Sequence, residues 1–364
     1  MRCFKALHIW LLVNAAALVL FVVFRGHRAV MSAVSSRFSM PLERALGRVW
    51  SFVPVSVAEL CYILAGLGLI VYLIMSIVRV CRAEYRAEEL YRRFMILVNA
   101  VLSLCAAFCL LWGVNYYADD FCDMSGLYPQ DISREELAAV TRYFAEQTSL
   151  CAGNVERSAN GVYAVSRRSS LALAPSLYSA LYDEFPFLNV GADPVPKTFF
   201  FSRVVSAMGF TGLYFPFTGE SNLNDDFPAA TFPATIAHEL AHRRGIASEQ
   251  QCNFLAVLAS VRSDDAAYRY SGWLLGYIHL SNALYAADRD AWREIRLSLS
   301  PLVEADLLAA NDYWAQYEGP VSEASEKAYD SMLRSYGEEL GMQSYGAVVD
   351  LLVLYYREAA AYAQ

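Results

Sequence analysis

The stretch TFPATIAHELAHRRGIASEQQCNFLAVL occupies residues 231–258. His238 and His242 stand four positions apart, and on a helix residues at that spacing share a face. Two imidazoles on one face can reach a single metal ion. Glu239 follows the first of them and falls beside that ion, placed to act on a water as general base. Pro233 suits the first turn of such a helix, and Gly245 suits its end. Ser248 then reads as the N-cap of a second helix, with Gln251 completing a capping box three residues on. Glu249 therefore belongs to the first turn of that second helix. The first helix also carries Ile236, Ala237, Leu240 and Ala241, so it is predicted to be largely buried. Two histidines and a glutamate in an apolar setting need partners, because burying such groups bare is costly.

The H-E-x-x-H pattern resembles that of zinc metallopeptidases, whose catalytic Zn2+ takes three protein ligands and one water. His238 and His242 supply two. His8 and His27 lie in or beside the first hydrophobic segment, which leaves Glu249 or His279 for the third. Glu249 is the better placed of the two, since a reversal at Gly245 folds the second helix back on the first. A single histidine at mid-helix is more often a core residue than a ligand. The segment Glu249-Gln-Gln-Cys-Asn253 is similar to the E-x-x-A-D/N motif of gluzincins, which also implies Glu249. Six residues separate His242 from Glu249, fewer than in most gluzincins. Gly245 matches a glycine of metzincins, but Ser248 stands where their third histidine would be.

More of the chain joins this resemblance. Gly212-Leu-Tyr-Phe-Pro-Phe-Thr-Gly-Glu220, the block His238–Phe254, and Ser344-Tyr-Gly-Ala-Val-Val-Asp350 resemble a family of uncharacterised bacterial membrane proteins in the zincin clan. The resemblance implies a mainly α architecture: three N-terminal transmembrane helices, then an α+β zincin-like domain with a small sheet. Zincin sites often use a Tyr or His to stabilise the oxyanion, and Tyr345 is the candidate here, with core packing as the competing reading.

The composition agrees with a membrane part. The chain is 56% hydrophobic, above the range of ordinary soluble domains. Its net charge of −8 argues against general nucleic-acid binding. Residues 8–24, 57–78 and 94–114 are apolar and long enough for spanning helices, which need about 20 residues. A cleaved signal peptide fits the first segment less well, because Arg25, Gly26, His27 and Arg28 follow it in place of a small-x-small site. Residues 27–54 suit a short helix on the membrane surface or an ordered loop. With the N-terminus inside, the inner segments hold Arg2, Lys5, Arg79, Arg82, Arg86, Arg92 and Arg93, against Arg25, Arg28, Arg37, Arg44 and Arg48 outside. The bias favours that orientation. It divides the chain into a membrane domain, 1–117, and an extracytoplasmic domain, 118–364.

Within the second domain, Ser133 and Glu136 read as a capping box opening a helix, and 175–186 as another helix. Residues 197–205 and 212–217 read as strands, with Pro216 suited to an edge. An edge strand before the metal helix would take an extended substrate by strand addition. Residues 218–224 read as a polar loop. Residues 266–288 and 289–340 read as helices, and the ending LLVLYYREAAAYAQ is too interrupted for a fourth span. Cys122 and Cys151 pair only if the compartment is oxidising; as free buried thiols they are equally in order. Cys252 reads as packing.

No glycine-rich phosphate loop and no G-x-S-x-G elbow is present. Two function classes remain. One is a membrane-anchored zinc peptidase acting on a peptide or protein, such as an envelope or membrane protein. The other is a catalytically silent zincin-fold module for binding or scaffolding. Glu239 separates them, because only a hydrolase needs the base. An intramembrane protease fits less well, since 218–235 is polar and contains prolines.

Overall fold

A computed structural model describes residues 4–336 and 345–363, with only the backbone of Tyr345. Two compact units emerge: residues 1–119 with Pro216–Gly219, and residues 120–215 with 220–364.

The first unit holds α1 (Lys5–Phe24), α2 (Arg28–Val34), α3 (Met40–Trp50), α4 (Val57–Arg82) and α5 (Arg86–Leu111). Helices α1, α4 and α5 are long and apolar enough to cross a membrane. They follow the three apolar segments, but α4 and α5 extend into the charged connection, leaving a break of only 83–85. Helix α4 starts where the Ser56 hydroxyl accepts the Glu59 amide at 3.0 Å, an N-cap of the usual kind. Helices α1 and α5 pack on each other through a polar ladder. The Asn14 amide donates to Ser103 Oγ at 2.9 Å, Trp10 Nε1 donates to the same oxygen at 2.9 Å, and Asn99 donates to Leu7 O at 3.2 Å. Among apolar side chains such groups are kept only when mutually satisfied. The mixed segment 28–50 is helical, with a π-helical turn at Ser35–Ser39 between α2 and α3.

The second unit begins with α6 (Phe121–Ser125) and α7 (Arg134–Ala152). The predicted capping box is formed: Ser133 Oγ accepts the Glu136 amide at 3.1 Å and Glu136 Oε2 accepts the Ser133 amide at 2.9 Å. After α8 (Arg167–Leu173) the segment 174–181 is a 3-10 helix, tighter than the α-helix expected around 175–186. Then come β1 (Lys197–Thr198), α9 (Ser202–Ala207), β2 (Gly212–Phe215) and β3 (Glu220–Leu223). The sheet order is β1-β3-β2, with β1 parallel and β2 antiparallel to the central β3.

Two expectations fail here. The run 197–205 is a strand only at its start; the Ser202 hydroxyl donates to Phe199 O at 2.7 Å and accepts the Asp225 amide at 2.8 Å, turning the chain into α9. The polar stretch 218–224 is a loop only at its ends. Its middle is the central strand, buried because Lys197 pairs with Glu220 and the Ser221 hydroxyl donates to Glu239 O at 3.1 Å. β2 is an edge strand, and Pro216 follows it directly.

Among the described residues the remainder is mainly helical: α10 (Phe232–His242), α11 (Glu249–Val261), α12 (Ala266–Ala287), α13 (Arg289–Leu297), α14 (Pro301–Ala315), α15 (Pro320–Ser335) and α16 (Tyr345–Ala363). Helix α11 packs on α10 and α12, α7 on α12, and α16 on α7, α11 and α12. Phe144 is enclosed by Trp273 and Tyr356, both edge-on, with centroids at 4.8 and 4.9 Å. A side chain of that size contributes roughly 1.5–3 kcal/mol when fully buried. Gly276 makes room for it, since a Cβ there would overlap the Phe144 ring. Cys122 and Cys151 are both free thiols.

Candidate metal centre

Helix α10 carries Pro233 in its first turn and ends at His242. Gly245 takes φ +87°, a left-handed conformation that favours glycine, and the chain reverses into α11. Glu249 is the first residue of α11, in the acidic first turn that the sequence predicts. The predicted capping box at Ser248 and Gln251 does not form, because no side chain caps this helix. Gln251 is drawn elsewhere: its Oε1 accepts the Phe121 amide at 2.9 Å and its Nε2 donates to Asp120 Oδ2 at 2.7 Å.

The reversal brings His238, His242 and Glu249 together, with one ligand atom from each lying within 4.8 Å of the others. His238 Nε2 is 3.1 Å from Glu249 Oε2, and His242 Nε2 is 3.5 Å from Glu249 Oε1. The opposite ring nitrogens are tied back. His242 Nδ1 lies 2.9 Å from Ile246 O, and His238 Nδ1 lies 2.9 Å from Asn253 Oδ1. An oxygen of either kind only accepts, so each Nδ1 is assigned a proton and each Nε2 is the nitrogen presented to Glu249. Asn253 thus fixes one ligand ring from α11, one turn beyond Glu249.

Without a cation, the electrostatics are those of an ion pair. Burial alone would raise the pKa of Glu249, yet His242 and His238 hold it well below the usual carboxylate range. Burial would lower His242, but Cys252 and Glu249 carry it well above its ordinary value. Once the Nε2 protons leave, two imidazoles and an ionised carboxylate form a donor set that suits Zn2+.

Glu239 stands apart from the three. It is 3% exposed, and its Oε2 is buried without a hydrogen-bond partner. Burial pushes the carboxyl up to about 7, against the lowering pull of His238 and His242. Gly212 of β2 lies against it, and a Cβ at that position would overlap the carboxylate. A glycine at the start of the edge strand is therefore needed to seat this side chain.

A second group of residues, which the motif does not reveal, holds α10 in place. Asp193 Oδ1 accepts from Arg243 Nε at 3.1 Å, and its Oδ2 accepts from Arg244 Nη2 at 2.8 Å. All three side chains are almost wholly buried. Arg244 also donates to Leu188 O at 3.0 Å and Leu240 O at 2.8 Å, and lies 3.7 Å over the Tyr178 ring. The visible signal was the Arg-Arg pair ending an apolar helix. Its partner lies some fifty residues upstream.

His279, the competing ligand, sits on α12 outside the cluster. Burial keeps its pKa down at about 4. Cys252 is fully buried with its sulfur 3.3 Å from His242 Nδ1, so it packs against a ligand ring. Among the site candidates, the side chain of Tyr345 lies outside the described residues.

Fold and site together define a mainly helical protein with three helices long and apolar enough to cross a membrane and a part-buried His-His-Glu cluster. The chain belongs to the family described as Protein of unknown function (DUF3810), which matches residues 35–353. No curated protein and no solved structure matches it.

Proposed function

We propose that this chain is a membrane-anchored, zinc-dependent peptidase of gluzincin-like type, with its second unit outside the cytoplasm. The observation that carries the reading is the convergence of His238, His242 and Glu249 next to a buried carboxylate, Glu239, that has an oxygen without a partner. His238, His242 and Glu249 would hold Zn2+. The chemistry such an ion would supply is polarisation of a scissile carbonyl and a water pKa lowered to about 7. Glu239 would take the proton from the attacking water as the C–O bond forms, then return it to the departing amine as the peptide C–N bond breaks. Asn253 and the Ile246 carbonyl keep the two imidazoles in the tautomer that binds metal. β2 is an edge strand beside Glu239, where an extended peptide would add to the sheet. The substrate class is a polypeptide of the same membrane or its envelope, since the spans tether the site at that surface. The Lys and Arg distribution supports the N-in orientation.

Glu239→Gln tests the reading. The variant should keep about one zinc per chain, because the three protein ligands are untouched. Hydrolysis of a responsive polypeptide should fall roughly 10²–10⁴-fold. If cells carrying Glu239→Gln process their envelope proteins as wild type does, while deletion of the whole protein has a clear effect, the hydrolase reading fails and a binding or scaffolding role replaces it.

A further inference from the structure

We infer that Tyr329 is a positioning residue for the metal centre, fixing the Glu249 carboxylate and coupling the docking of α15 to metal occupancy. The inference rests on the zinc reading above. Helix α15 is a peripheral element whose one buried residue is Leu333. Yet its Tyr329 hydroxyl donates to Glu249 Oε1 at 2.5 Å. Its ring stands edge-on to Phe210, with centroids 5.4 Å apart, and Phe210 lies two residues before Gly212, the residue against Glu239.

A carboxylate has two oxygens and a freely turning terminal bond. Holding Oε1 from α15 leaves Oε2 facing His238 Nε2, 3.1 Å away. The carboxylate is then ordered before any cation arrives, so binding does not have to order it. Groups that orient a ligand in this way change metal affinity by roughly 10–100-fold when removed. Coupling between two equilibria is reciprocal. If the docked Tyr329 raises zinc affinity by that factor, zinc favours the docked state of α15 by the same factor.

The test uses the full chain in lipid nanodiscs, with zinc alone as the probe. Tyr329→Phe removes the hydroxyl and keeps the ring on Phe210. Zinc affinity is read by competition with a chelator of known strength, and amide hydrogen exchange of α11 and α15 is read with and without zinc. Tyr329→Phe should bind zinc roughly 10–100-fold more weakly. Zinc should still slow exchange in α11 of the variant but no longer in α15, whereas in wild type it slows both. Phe210→Leu keeps the hydroxyl and should retain zinc more tightly than Tyr329→Phe; the reverse order overturns the inference. So does a Tyr329→Phe chain with wild-type affinity and wild-type zinc protection of α15, and in that case the zinc centre itself stands. A wild-type chain that binds no zinc overturns both.

Discussion

Replacing Asp193 by Ala should unseat the end of the metal helix. Asp193 is 4% exposed, and it faces two guanidinium groups that are buried as deeply. Removing the carboxylate leaves two positive charges side by side in the interior. Arg244 keeps the Leu188 and Leu240 carbonyls and the Tyr178 ring, so its loss is partial. Arg243 loses the carboxylate that its Nε contacts at 3.1 Å. Breaking a buried pair from one side costs about 3–5 kcal/mol, a large share of the roughly 5–15 kcal/mol that holds a domain folded. For a domain of this size, 1 kcal/mol moves Tm by about 2–4 °C, so the variant should melt about 6–20 °C lower. Thermal melts of the full chain in detergent, followed by circular dichroism, measure this directly. Asp193→Asn keeps an acceptor without the charge and should fall between the two. An Asp193→Ala chain melting within about 2 °C of wild type would refute the idea that this ion cluster holds the helix.

Two further outcomes concern the ligand set and the alkaline limb of stability. Glu249→Gln should weaken zinc retention about as much as His242→Ala, while His279→Ala keeps it; metal analysis after dialysis decides, and the opposite ranking would transfer the third ligand to His279. Burial, seconded by Asp120 and Asp123, pushes the Cys122 thiol up from 9.0 to about 12. The folded chain therefore keeps a proton that the unfolded chain sheds, and the resulting stability is full below about pH 9 and lost as pH rises towards about 12. Urea unfolding should show wild type losing stability between about pH 9 and 11 more steeply than Cys122→Ala; parallel curves would count against a protonated buried thiol.

The legible parts of this chain are those where local chemistry decides. Three apolar runs read as spans, Pro233 and Gly245 bracket α10, and Glu249 falls in the first turn of α11, all from near neighbours. What stayed hidden depends on distant partners. Ser221 and Asn222 look like loop residues until a Glu239 carbonyl takes the Ser221 hydroxyl and two flanking strands pair with their main chain. The aromatic run Phe199-Phe200-Phe201 looks like a strand, but pairing stops after Thr198. Gln251 satisfies a helix-capping pattern in sequence and is used instead by Asp120 and Phe121, far back in the chain. Asp193 sits in a loop with no motif around it, and only the packing of α10 gives it a role.

The compactness of the ligand set along the chain has a kinetic consequence. All three donors come from 238–249, on two consecutive helices joined by one left-handed glycine turn. Bringing together the ends of so short a segment takes on the order of 10–100 ns and costs little chain entropy. Gly212, Asp193 and Tyr329, by contrast, reach this hairpin only when distant segments have met. The donor set is thus an element of low contact order inside a fold of higher contact order. It can close before the surroundings that tune it are in place, and a cation caught at that stage would act first on the helical hairpin and only later on the domain around it.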